Sequence, residues 1–154
     1  MEIIKKIDIH KESENFLKEC SPPSVGYLER AFNKYKFWYQ ISVDEDDFSK
    51  IMIGGSPLKD EPCFLKEAVE ELVQNKHLLE VEQEGVNTKH VGKYLEANYL
   101  GDIFLIQKDF ITKNDLYVID GMHRLLAYGL RLKEGEKFQD FIAYLGWNEK
   151  LLVE

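Results

Sequence analysis

The segment 102–130 constrains the fold most. It holds two short, continuously apolar runs, Ile103-Phe104-Leu105-Ile106 and Leu116-Tyr117-Val118-Ile119, joined by a polar link containing Thr112-Lys113-Asn114-Asp115. Apolar runs of this length read as strands covered on both faces, and the polar link reads as a hairpin-like turn. Directly after the second run come Asp120 and Gly121, and then Met122, Leu125, Leu126 and Leu130 recur at helical spacing. A strand that turns straight into a helix buried on one side calls for a sheet with helices packed on it. The fold class expected is therefore α+β or α/β.

The rest of the chain fits one domain, residues 1–154. Ile3, Ile4, Ile7 and Ile9 suggest a first strand, interrupted in its alternation by Lys5 and Lys6. Ser21-Pro22-Pro23-Ser24 is a break, followed by helical spacing of Val25, Leu28, Ala31 and Phe32 and by a strand through Phe37, Trp38, Tyr39, Ile41 and Val43. Asp44 to Ile53 reads as a short helix opened by acidic residues, which suit a helix N-terminus. From Phe64, the positions Leu65, Ala68, Val69, Leu72 and Val73 mark a one-sided amphipathic helix, and a second helix is expected around Thr88 to Tyr99. Phe138, Phe141, Ile142, Tyr144 and Leu145 close the chain as a strand or a helix.

Composition excludes several classes. Apolar residues at 44% and charged residues at 31% are the balance of a folded soluble chain. No apolar run approaches the roughly 20 residues of a membrane span, and the start MEIIKKIDIHK has no signal-peptide pattern. Cys20 and Cys63 form no CxxC pair and read as reduced thiols, which places the protein in the cytoplasm. A net charge of −8 argues against nucleic acid as a partner.

The turn Asp120-Gly121-Met122-His123-Arg124 carries the chemistry. Asp120 stands where a carboxylate can cap a helix start. Gly121 permits a turn closed to other residues and close approach of a ligand to the main chain, while the helix N-terminus favours an anion. His123 adds a titratable donor, and Arg124 a planar cation whose fork matches two phosphate oxygens.

VIDGMHRLLAY resembles the D-G-x-H-R signature of the ParB/sulfiredoxin superfamily, whose members include chromosome-partition proteins, sulfiredoxins and small-molecule kinases. The likeness is good over 102–130 and loose over 58–146, which leaves 1–57 as an N-terminal elaboration. It implies that Gly121, His123 and Arg124 hold nucleotide phosphates, with Asp120 and His123 as catalytic residues and Asp120 near a metal, Mg²⁺. The nucleotide would be ATP, ADP or CTP. Sulfiredoxins carry a reactive cysteine where this chain has Met122, a thioether with no ionisable proton, so sulfinic acid repair is not expected. Partition proteins continue into a DNA-binding domain, whereas about 30 residues follow the motif here. The small kinase-like branch remains.

Such an enzyme needs phosphate clamping, a divalent ion and a base near the acceptor hydroxyl. The base is left among Glu12, Glu14, Asp44, Glu45 and Glu61. The leading expectation is a phosphotransferase or nucleotide hydrolase acting with a small hydroxyl-bearing acceptor. The alternative is a non-catalytic nucleotide-binding module or inhibitor of a protein partner, and a nuclease-like role on DNA is the weakest. His10, His77 and His90 have no ligand spacing. Gly54-Gly55-Ser56-Pro57 lacks the Lys-Ser/Thr of a phosphate loop and reads as a turn. Tyr35, Phe37, Trp38 and Tyr39 read as a core strand rather than a base-stacking surface.

Overall fold

The computed structural model describes residues 1–20, 22–55, 61–80, 88–97, 100–107 and 116–148. Along the chain it contains β1 (Glu2–Ile7), α1 (Ile9–Lys18), α2 (Pro22–Lys34), β2 (Phe37–Val43), α3 (Glu45–Ser49), β3 (Ile51–Ile53), β4 (Cys63–Phe64), α4 (Leu65–Gln74), a 3₁₀ turn (Lys76–Glu80), α5 (Thr88–Ala97), β5 (Phe104–Gln107), β6 (Leu116–Asp120), α6 (Met122–Lys133) and β7 (Phe141–Trp147). The class is α+β, with helices on both faces of one mixed sheet ordered β1-β2-β7-β5-β6-β3-β4. Parallel pairing joins β5 to β7 and β3 to β6; the other neighbours are antiparallel. No described helix is long and apolar enough to cross a membrane.

Alternation sorts the strands between two cores. Tyr39, Ile41, Val43, Leu105, Leu116, Ala143 and Leu145 join α4, α5 and α6 on one face. Trp38, Phe104, Ile106 and Tyr117 join Ile9 of α1 and Leu28, Ala31 and Phe32 of α2 on the other. Gly129 of α6 fits tightly against Val69 of α4, since a Cβ there would sit within 3.0 Å of the valine. The aromatic strand 37–39 is core, as expected: Trp38 and Tyr39 are buried, and Trp38 Nε1 donates to Tyr35 O at 3.1 Å.

Three sequence expectations need correction. Ile9 belongs to α1 and not to the first strand, because Asp8 caps that helix by accepting from the Lys11 N–H at 3.4 Å. The break at 21–24 contains the start of α2, since Pro22 takes the first helical position, where its missing N–H and fixed φ cost nothing. The acidic segment Asp44 to Ile53 is split: α3 ends at Ser49 and Ile51–Ile53 pair in the sheet. The closing segment resolves to a strand, β7. The N-terminal strands enter the same sheet, with β2 bonded to β7 and β3 to β6. Expectations for Thr112 to Asp115, for Ser56-Pro57 and for the end of the helix at Tyr99 lie outside the described residues.

Candidate functional site

The turn forms where β6 meets α6, and its geometry begins with a β-bulge. Leu105 of β5 pairs with Val118, but Phe104 pairs with Asp120, so β6 carries one extra residue across this step. A bulge of this kind re-aims the side chains that follow it. Strict alternation would place Asp120 on the α4–α6 face with Leu116 and Val118. The bulge instead puts it in one cross-sheet row with Phe104, Tyr144 and Gln40, beneath α1 and α2.

The expected capping role of Asp120 is therefore a correction. The N-cap of α6 is Gly121, at φ +103°, which offers no side-chain cap. Glycine is required twice over: L-residues avoid that φ, and a Cβ would penetrate Ile103 Cδ1 and lie 3.6 Å from Ile103 Cα. The segment Asp102-Ile103 thus lies directly against the turn. Asp120 turns away from the helix start, its Oδ1 accepting a 2.8 Å hydrogen bond from Ser24 Oγ in the first turn of α2 and its Oδ2 lying 3.5 Å from Arg124 Nη2.

Arg124 folds back under the turn. Its Nη1 donates to Leu100 O at 2.6 Å and its Nη2 to Asp102 O at 2.9 Å. Both Arg124 and Asp120 side chains are 18% exposed, so the guanidinium acts first as a clamp between α6 and the chain entering β5. His123 is half-buried in the first turn of α6. The four motif residues Asp120, Gly121, His123 and Arg124 are thus together, with Asp120 and Arg124 already engaged within the protein.

The surroundings are acidic. Burial, and then the charge of Glu19, hold the Asp102 carboxyl above the usual carboxylate range, with Asp120 adding to the effect and Arg124 opposing it. Burial and then Asp120 push the Cys20 thiol up, so it is a protonated and weakly reactive group whose Sγ donates to Phe16 O at 3.0 Å. Burial and then Asp102 raise the Tyr144 phenol. Asp102 and Ser24 were not singled out by sequence; the only signals are an Asp directly ahead of an apolar run and a Ser just inside a Pro-Pro helix start.

The other sequence candidates lie elsewhere or are otherwise engaged. Asp44 caps α3 in a reciprocal capping box with Asp47, which holds its carboxyl below the usual range chiefly through the Asp47 N–H. Glu45 lies on α3 and Glu61 is exposed ahead of β4. Glu14 is exposed on α1, whereas half-buried Glu12 is close enough to Tyr144 to raise its phenol slightly. His10 and His77 are exposed; the side chain of His90 lies outside the described residues.

Among the described residues no three His, Cys, Asp or Glu side chains form a group that could hold a metal ion. Asp120 faces a hydroxyl and a guanidinium, so these residues do not fit a protein-built Mg²⁺ site.

No family model matches the chain, and no curated protein or solved structure matches it at a significant level.

Proposed function

We propose that the protein binds the phosphates of a nucleotide at the start of α6 and uses the nucleotide as donor in phosphate transfer to a hydroxyl group or to water. One observation carries this reading: α6 opens directly off a strand on a positive-φ glycine that offers no side-chain cap, and a helix start of this kind favours an anion. The likeness of Asp120 to Arg124 to the ParB/sulfiredoxin signature supports phosphate as the anion. In this reading the turn amides and His123 meet the phosphates, and Arg124 contributes positive charge from behind. The setting is the cytoplasm, where ATP, ADP and CTP are all available.

The test is thermal unfolding with ATP, ADP and CTP, each with and without Mg²⁺. A nucleotide at 100 times its Kd stabilises the folded state by about 2.7 kcal/mol, or about 5–10 °C in a chain of this size. His123→Ala should reduce the shift. Arg124→Ala is a poor probe, because it strips two carbonyls of their donor and destabilises the turn for that reason alone. No shift with any nucleotide removes the reading.

The clamped Arg124 favours a second reading, a non-catalytic nucleotide-binding module or inhibitor of a protein partner. A guanidinium held on two main-chain carbonyls is poorly placed to follow charge onto a transferring phosphate. A thermal shift without release of inorganic phosphate or of phosphorylated product would select this reading over the enzyme.

A further inference from the structure

The two helices α1 and α2 do not close on each other along their whole length. Between α1 and the second half of α2 lies a crevice of about 250 Å³, below the usual size of a pocket for a drug-sized molecule and suited to a smaller one. Ile9, Ser13 and Leu17 line it from α1 at the spacing of one helix stripe, and Glu29, Phe32 and Asn33 line it from α2. Buried Ile9 and Phe32 and half-buried Leu17 make an apolar floor, where Phe32 is fixed by edge contacts with Trp38 and Phe104. Glu29 and Asn33 are exposed and Ser13 is half-buried, which puts them at the rim.

The polar groups of the two walls are not joined to each other. Ser13 Oγ donates to His10 O on its own helix at 3.4 Å, which leaves its lone pairs to accept, and neither the Glu29 nor the Asn33 side chain has a partner among the described residues. The cations nearest to Glu29 in the chain are turned elsewhere: the Arg30 guanidinium lies 5.0 Å from the centre of the Tyr27 ring and the Lys34 ammonium 5.7 Å from that of Tyr35. Glu29 therefore brings a carboxylate to a crevice that no Lys or Arg lines. We propose that this crevice binds a small organic ammonium ion, its apolar body on Ile9, Leu17 and Phe32 and its N–H groups shared between the Glu29 carboxylate, Asn33 Oδ1 and Ser13 Oγ. Three acceptors match the three donors of a primary ammonium. The site is independent of the phosphate reading of the turn.

The probes are phenethylamine, which is an ammonium at neutral pH, its neutral isostere phenethyl alcohol and the anion phenylacetate, each titrated into the full chain and followed by amide chemical shifts. The amine should give saturable shifts confined to residues 9–17 and 29–33, with a Kd of about 1 mM. The alcohol and phenylacetate on the wild type, and the amine on Glu29→Gln, should each bind about fivefold more weakly, about 1 kcal/mol, the upper end for an exposed ion pair. Arg30→Gln, a charge change outside the crevice, should leave the Kd of the amine within about twofold. Amine binding that does not saturate, shifts that spread away from the crevice, equal affinity for the alcohol, or an unchanged Kd in Glu29→Gln overturns the proposal.

Discussion

Replacing Gly121 by alanine imposes two penalties that a second glycine of the same chain can separate. Gly121 has φ +103° and Gly135 has φ +105°, so alanine at either meets similar backbone strain, about 1–2 kcal/mol. The smaller entropy of the unfolded alanine chain offsets about 0.4–1 kcal/mol of that. Gly135 has open space around its missing Cβ, and the net cost of Gly135→Ala should be about 1 kcal/mol. At Gly121 the new methyl meets Ile103 Cδ1, far inside carbon contact distance, and Arg124 Nη2 at 3.3 Å. Ile103 is fully buried and has nowhere open to turn. Overpacking of that kind adds about 1–3 kcal/mol, so Gly121→Ala should cost about 2–4 kcal/mol. In urea unfolding followed by fluorescence of Trp38 and Trp147, the midpoint should fall by about 1–2 M at a typical slope. Ile103→Val removes the clashing atom. Alone it should cost about 0.5–1.5 kcal/mol, but with Gly121→Ala the pair should cost less than the sum by about 1 kcal/mol. Equal costs for the two glycine variants, or simple additivity with Ile103→Val, would refute the packing argument.

Two further outcomes follow from the same turn. Arg124→Ala removes the guanidinium donors of the Leu100 and Asp102 carbonyls and the ion pair of Asp120, and at this degree of burial should cost about 2–4 kcal/mol in chemical unfolding; Arg124→Lys, with one ammonium for two separate carbonyls, should recover only part of it. Asp102 has its carboxyl raised in the folded state, so the native form holds the proton more tightly than the unfolded chain, and the stability this contributes is lost as pH rises from the ordinary aspartate range through the folded value. Asp102→Asn should therefore gain on the wild type between acidic and neutral pH in unfolding curves, and a gap independent of pH would count against the assigned environment.

Elements with a long apolar stripe or run were legible in sequence: β2, α4 and the strand–helix unit of β6 and α6 stand where periodicity puts them. α1 was not, because the six polar residues 10–15 separate Ile9 from Phe16 and Leu17 and only tertiary packing on Phe104 and Tyr144 reveals the face. The motif residues were legible as a group, but their partners were not. The bulge that turns Asp120 is a property of pairing with β5, and alternation within one strand cannot show it. Ser24 and Asp120 meet only through the packing of α2 on the sheet. Arg124 looked like a phosphate fork because its acceptors, the carbonyls of Leu100 and Asp102, belong to the main chain and leave no mark in residue types.

The place of β7 bears on how the molecule comes to exist at all. In the sheet, β1 pairs with β2 across α1 and α2, and β5 pairs with β6, but these two halves are joined by strand pairing only through β7, residues 141–147, which lies between β2 and β5. Closing that gap brings Phe37 against Trp147, a loop whose entropy must be met before its contacts return anything. Until then two half-sheets present bare strand edges, the state most exposed to mispairing during synthesis. Tyr144 N–H also donates to Ile103 O at 2.8 Å, beside the turn. The chain entering the candidate site is therefore held in part by a strand that contributes none of the motif residues.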